Sequence, residues 1–403
     1  MLSMGSRLRG NDGQTKTTGD DARMSEPAAR LTSLDAFRGF TIASMVLVNN
    51  PGDWSNLYSQ LEHAKWNGWT FTDCIFPFFL FIGGVSMALS LGRLAAAGAD
   101  KPRLLAKLAK RAMLIFLIGF ILNYLPYFNI DKVRIPGVLQ RIALCTLLAA
   151  PIVVYFRWRA QLAIIGALLI LYSVLMLLVP VPGIGAGVLE PGMDFGAWID
   201  RTLLNGHLWV QSKTWDPEGV ISTLPALASQ LFGVLTGQWL LSRHSRVEQT
   251  VWMLVAGLLM LWLGVIFDTI LMPINKSLWT PSYCFLMTGW ALVVFSSFYW
   301  LLDVTPHAAI REAAARWTRP FVIYGMNALF VFMLSGFLAK MFGFIKFAQP
   351  DGGKVSLGKL LYAPIRELPI APVNTSLLYA VLFNAFMFAI AWAMWRKKWF
   401  VKV

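Results

Sequence analysis

The sequence predicts an all-α fold: a polytopic membrane protein with a bundle of about ten transmembrane helices and both ends in the cytoplasm. Three observations carry this. Only 14% of the 403 residues are charged and 57% are hydrophobic, with mean hydropathy +0.59, whereas a soluble domain has about 25% charged residues. Charge is nearly absent from a series of windows of about 20 residues, the helical length that crosses about 30 Å of hydrocarbon. The Lys and Arg residues fall in clusters between alternate windows, as the positive-inside rule requires.

The windows run in order as follows. The first, 34–50, begins with Asp35 and Arg38, which share a helix face and stay out of lipid as a pair or cap. It ends at Asn49-Asn50, and a buried amide must be hydrogen-bonded. The second, 74–92, contains Gly83-Gly84, read as close helix packing. The third is 110–128. The fourth, 137–156, takes Gln140 and Arg141 into hydrocarbon. There an Arg costs about 2.5–3.5 kcal/mol and calls for an anionic partner. The fifth, 161–181, is stopped by Pro180, Pro182 and the glycines of 183–187. The sixth, 221–241, carries Gly233 and Gly237 at the spacing of small-residue packing. The seventh to tenth are 250–268, 281–301, 321–342 and 375–395, the ninth with Asn327 inside it.

Residues 1–30 are polar and lack an apolar core, so they read as a disordered cytoplasmic tail ahead of a membrane domain over 31–403. Arg93, Lys101, Arg103, Lys107, Lys110 and Arg111 follow the second window, and Arg157 and Arg159 the fourth. Arg243 and Arg246 follow the sixth, Arg311, Arg316 and Arg319 the eighth, and Arg396, Lys397, Lys398 and Lys402 the tenth. All lie on the side of the N-terminus. The opposite side holds the larger loops, 51–73, 182–220 and 343–374, together with 269–280. The net charge of +14 is therefore a topology signal, and no nucleic-acid partner is expected. Cys74, Cys145 and Cys284 have no paired spacing and read as small buried hydrophobes, with no metal site.

Polar residues gather toward the outer side. The first cluster is Asn49, Asn50, Asp53, Glu62, His63, Trp66, Asn67 and Asp73. His63 joins two helices there, and an imidazole near its ordinary pKa serves as base or nucleophile at neutral pH. Arg134, Gln140 and Arg141 form a second cluster, Asp216-Pro217-Glu218-Gly219 a third, and Asn275-Lys276-Ser277 with Trp279 a fourth. With Asn327, they are expected to converge on one cavity.

The same residues carry a family resemblance. Leu34-Asp35-Ala36-Phe37-Arg38-Gly39, Asn49-Asn50-Pro51-Gly52, His63-Ala64-Lys65-Trp66-Asn67-Gly68-Trp69-Thr70 and Asp73 with Phe76-Pro77-Phe78-Phe79-Leu80-Phe81 open it. Pro136-Gly137-Val138-Leu139-Gln140-Arg141-Ile142-Ala143, Asp216-Pro217-Glu218-Gly219 with Ser222-Thr223-Leu224-Pro225, Asn275-Lys276-Ser277-Leu278-Trp279-Thr280 and Gly325-Met326-Asn327-Ala328 continue it. Together they resemble heparan-α-glucosaminide N-acetyltransferase and its bacterial relatives, from about residue 31 to the last helix. The resemblance implies a multi-pass acyltransferase of the bacterial inner (cytoplasmic) membrane. It would take acetyl from cytosolic acetyl-CoA, without a metal, to the amine of a glucosamine-type sugar on the periplasmic side.

It further implies that His63 is catalytic and that Asn50 is its partner, orienting the ring or stabilising the oxyanion. One well-aimed oxyanion donor is worth roughly 3–4 kcal/mol. His63 would act as general base or carry the acetyl group itself. Asp53, Trp66, Asn67, Asp73, Asp216, Glu218, Asn275, Lys276 and Asn327 are expected to bind the acceptor, and Arg134, Gln140 and Arg141 the acetyl-CoA. The partners implied are the lipid bilayer and an amino-sugar or glycan acceptor, with a homodimer favoured. The competing class is a secondary transporter of a sugar or small anion, which also has intramembrane polar groups. Such proteins usually show internal repeats and matched broken helices, and neither pattern is evident here.

Overall fold

The computed structural model describes residues 31–350 and 353–401, so the expected tail at 1–30 lies outside the described residues. A helix occupies each predicted window. They are α1 (Thr32–Val48), α2 (Phe71–Ala96), α3 (Lys101–Tyr124), α4 (Val138–Tyr155) and α5 (Trp158–Leu178). A short α6 (Phe195–Leu204) lies in the large loop, followed by α7 (Thr223–Leu240), α8 (Arg246–Ile270) and α9 (Pro281–Val304). The chain continues through α10 (Ala308–Met326), α11 (Ala328–Phe344), a hairpin of β1 (Lys346–Ala348) and β2 (Lys354–Ser356), α12 (Leu357–Arg366) and α13 (Pro372–Arg396).

The all-α polytopic expectation holds, and by length and composition alone fewer helices than the ten windows qualify as spans. Among the described residues, six helices are long and apolar enough to span a membrane: α2, α4, α5, α8, α9 and α13. The pair α10 and α11 makes a seventh if counted as one span, but it bends by 75° at Asn327. The predicted ninth span is thus two helices. Others fall short for physical reasons. Helix α1 has 17 residues and carries Asp35 and Arg38, and α3 opens with Lys101, Arg103, Lys107, Lys110 and Arg111. The start of α3 is fixed by the Asp100 side chain, which caps it by accepting from the Arg103 N–H.

The helices sort into inner and outer. In α2 and α9, 72% and 61% of the most apolar stretch is buried, whereas α5, α8 and α13 bury only 28%, 22% and 28%. The latter three are apolar on faces no other helix covers, as lipid contact requires. Helices α2 and α7 cross backbone against backbone. A Cβ on Gly84 would stand 2.0 Å from Gln230 O, and one on Gly233 would stand 2.0 Å from Phe81 O. Gly84, Gly233 and Gly237 are therefore used as packing devices, while a Cβ on Gly83 would meet nothing closer than 3.8 Å. Asp35 and Arg38 form the expected pair at 3.0 Å, and Arg38 also donates to Ser86 Oγ at 2.8 Å.

Candidate active site

The site is built where α2, α7 and α9 begin. Thr70 precedes α2 in extended backbone, and Asp73 in the first turn reaches back to it. Asp73 Oδ2 accepts from Thr70 N (3.1 Å), Thr70 Oγ1 (3.1 Å) and Ala64 N (3.0 Å). This capping arrangement satisfies helix-start N–H groups and folds the preceding loop onto the helix. The loop carries His63, and its Nδ1 lies 2.7 Å from Asp73 Oδ1. A carboxylate can only accept, so Nδ1 donates, and in the neutral ring the lone pair is carried by Nε2. The carboxylate is 1% exposed and the imidazole 48%, so the anchor is rigid and the working edge is open.

Lys276 meets the ring from the other side of the bundle's end. Its Nζ lies 2.9 Å from His63 Nδ1, 3.0 Å from Nε2 and 3.6 Å from Asp73 Oδ1. A point so close to both ring nitrogens and within the ring plane would collide with the ring carbons. The amine therefore sits over the ring face and leaves the in-plane lone pair of Nε2 clear. Burial pulls the pKa of Lys276 down, opposed by Asp73 and Glu218.

The turn holding Lys276 is stitched to the His63 loop. Asn275 Nδ2 donates to Asn67 Oδ1 at 3.1 Å, and Gly68 N to Ile274 O at 2.7 Å. Asn275 Oδ1 accepts from Leu278 N at 2.9 Å. Leu278 is buried among Tyr172, Met176 and Phe195, which seats the turn. Trp66 donates from Nε1 to Leu189 O at 2.9 Å and packs edge-on against Trp215, itself against Trp209.

A second charge cluster braces the segment before α7. Arg134 grips Asp216 through two bonds, Nε to Oδ2 at 2.8 Å and Nη2 to Oδ1 at 2.6 Å, and also pairs with Glu218. Burial pushes the Glu218 carboxyl up, but Arg134, with Arg141 and Lys276, holds it below the usual range. Arg141, 1% exposed, donates to Pro217 O (3.0 Å), Gly219 O (2.9 Å) and Ser222 Oγ (2.5 Å) and lies over the Trp279 ring. The anionic partner expected for Arg141 is thus replaced by carbonyls, a hydroxyl and an aromatic face. Gln140 is buried, with Nε2 lacking a hydrogen-bond partner among the described residues. Of the side chains expected to hold acetyl-CoA, Arg134 and Arg141 are thus bonded to the chain's own groups.

Other expected site residues are bonded elsewhere. Asn50 Nδ2 donates to Val46 O of its own helix at 2.7 Å. Among the described residues no hydrogen bond joins Asn50 to His63, so the partner of the ring is Asp73. Asp53 caps its own turn through Ser55 N (2.9 Å) and Asn56 Nδ2 (2.7 Å) and is tied to Ser376 at the start of α13. Asn327 pins the chain's end through Trp399 O and Val401 N, both at 3.0 Å. His63, Asp73 and Lys276 thus meet one another, and Lys276 stands near enough to Glu218 of the Arg134 cluster to feel its charge, while Asn50, Asp53 and Asn327 are bonded to other partners.

Sequence reasoning missed two acids. Asp194 and Asp200, from the start and middle of α6, line a pocket with Asp216, Trp215, Tyr172 and Ser277. Asp200 is buried, accepts from Val220 N at 2.9 Å, and burial pushes its carboxyl up to about 7. No local pattern marks it, because α6 reads as an ordinary amphipathic loop helix.

Comparison with known proteins follows the same residues. A family model described as "Heparan-alpha-glucosaminide N-acetyltransferase, catalytic" matches residues 30–265, which include His63, Asp73, Arg134 and Asp216 but not Lys276. Heparan-alpha-glucosaminide N-acetyltransferase of Homo sapiens is 32% identical over 369 residues, covering 77% of this chain and 53% of the human protein. The Mus musculus protein of the same name is 31% identical over 372 residues, covering 79% and 55%. The chain thus spans about half the length of the curated relatives it matches.

Proposed function

Because the chain belongs to the heparan-alpha-glucosaminide N-acetyltransferase family, we propose that it transfers an acetyl group across a membrane. The donor is cytosolic acetyl-CoA, and the acceptor is the amine of a glucosamine-type sugar on the periplasmic side of a bacterial inner membrane. The observation that carries this is His63, with Nδ1 held by buried Asp73 at 2.7 Å and Nε2 open. A base oriented by a carboxylate and free at its second nitrogen suits proton removal from an attacking amine.

In that reading the acceptor amine attacks the thioester carbonyl and loses a proton to Nε2. Asp73 stabilises the imidazolium that forms. The C–S bond breaks and the proton passes from His63 to the departing thiolate. If the acetyl group first rests on Nε2, the same geometry serves, since Nδ1 stays fixed by Asp73. The Lys276 cation stands where it can offset negative charge growing on the carbonyl oxygen. Trp66 and Trp215 offer aromatic faces for the sugar ring, while Arg134 with Asp216 and Glu218 keeps the adjoining wall in shape.

Purified protein with labelled acetyl-CoA and a panel of amino sugars tests this. Label moves to the acceptor amine in the wild type and stops in His63→Ala. Transfer at the wild-type rate in that variant would sink the assignment. Uptake of sugar into vesicles without acetylation would favour the transporter reading instead.

A further inference from the structure

We propose that Lys276 is itself an acetyl acceptor, so that the protein acetylates its own Lys276 Nζ when no sugar amine is present. The proposal rests on the acetyl-CoA reading above. The observation behind it is where the lysine amine lies: 3.0 Å from His63 Nε2 and 2.9 Å from Nδ1, over the ring face. Over the face and off the in-plane lone pair, the amine is placed to attack a group carried on Nε2 and not to hydrogen-bond to the base. An acetyl group on Nε2, or a thioester carbonyl held beside it, is planar and is attacked from its face. Lys276 Nζ already stands on that side, so the proximity that serves the sugar amine serves the lysine equally.

The surroundings fit a reactive amine. The Lys276 side chain is one-fifth exposed, and burial favours its neutral form. The groups facing it are His63, Asp73 at 3.6 Å and, through space, Glu218, which is paired with Arg134. Asp73 favours the ammonium, so the reaction is slower than sugar acetylation and gives way to it. In the step, the neutral amine nitrogen bonds to the carbonyl carbon and the carbon–sulfur bond breaks. With the acetyl group carried on Nε2 after the carbon–sulfur bond breaks, the Nε2–carbon bond breaks in turn and the amine proton ends on the departed thiolate, leaving acetyl-lysine, neutral His63 and free CoA thiol. Acetyl-Lys276 has no charge to set against Asp73 and keeps the acetyl amide beside His63, so the modified enzyme loses transfer activity.

The test is peptide mapping by mass spectrometry of the full-length protein after incubation with acetyl-CoA alone. The expected result is one acetyl group on the Lys276 peptide, none on that peptide in His63→Ala, and none in Lys276→Arg. Lys65 and Lys213, both exposed, report non-enzymatic acetylation and stay unmodified. Adding glucosamine to the wild type lowers acetylation of Lys276, a measurement that needs no variant to fold. Equal labelling of Lys65, Lys213 and Lys276, or labelling that survives in His63→Ala, overturns the proposal. Sugar acetylation with an unmodified Lys276 overturns it while leaving the proposed function standing. Label on neither sugar nor protein removes both.

Discussion

Two charge clusters sit at the same end of the bundle, and they differ in how much of their bonding capacity is used. In the Arg134 cluster the Asp216 carboxylate is fully buried, Glu218 is 8% exposed, and the guanidinium holds both acids through Nε and Nη2. In the His63 cluster the carboxylate is equally buried, but the imidazole is 48% exposed and the lysine amine meets the ring off its plane. Saturated charges in a low-dielectric setting hold a shape, because removing one strands the other. A base with an open lone pair next to a fixed carboxylate has capacity left for a substrate proton. The contrast separates architecture from chemistry among residues of the same types.

Substitutions can break or sharpen that contrast. The largest effect falls on the chemical side. His63→Ala should lower acetyl transfer by about 10²–10⁴-fold, the range for a general acid–base group, with melting in detergent changed by only about 0.5 kcal/mol. Next comes the structural side. Arg134→Met leaves two buried acids without their cation and should cost about 3–5 kcal/mol, read as a lowered melting temperature. An Arg134→Met protein of wild-type stability would erase the distinction. Asp73→Asn tests the residue that belongs to both roles. It should reduce transfer by about 10²-fold and weaken the start of α2 by about 1 kcal/mol, so both readouts move together.

The smallest effect is on pH dependence. Asp200 lies beside the second cluster, and its carboxyl is raised from 3.8 to about 7. The folded state therefore holds that proton more tightly than the unfolded chain does. The resulting stability is full below pH 4 and is lost as pH rises toward 7, at no more than about 1.4 kcal/mol per pH unit. Asp200→Asn should flatten that part of the melting-versus-pH curve and stabilise the protein above pH 7. A curve of unchanged slope would show that Asp200 is ionised in the folded protein.

Particular residues show what could be read in advance. His63 and the Asp-Pro-Glu-Gly segment stood out because polar groups bordering apolar windows need a reason to be there. The partner of His63 was less legible. Asn50 offers an amide at the end of α1, but that amide turns back to Val46 O. Asp73 reads as a helix cap and serves as one while also holding the ring. Lys276 comes from 213 residues further along the chain, and no periodicity links such positions. The break at Asn327 was hidden because both halves are apolar enough to pass as one window.

The sequence by itself determined the membrane character, the helical segments and the small-residue crossings. Each of these depends on local composition: a run of apolar residues long enough for the bilayer, or a glycine where backbones must touch. The tertiary structure alone decided that His63 meets Asp73 and Lys276, that the Arg141 Nη groups are held by carbonyls and a hydroxyl, and that Asp200 lies buried in a pocket. Those outcomes follow from which helix ends are brought together, as by the Gly84–Gly233 crossing of α2 and α7. The physical reason is that hydropathy is a property of each segment, whereas the partner of a buried charge is a property of the packing.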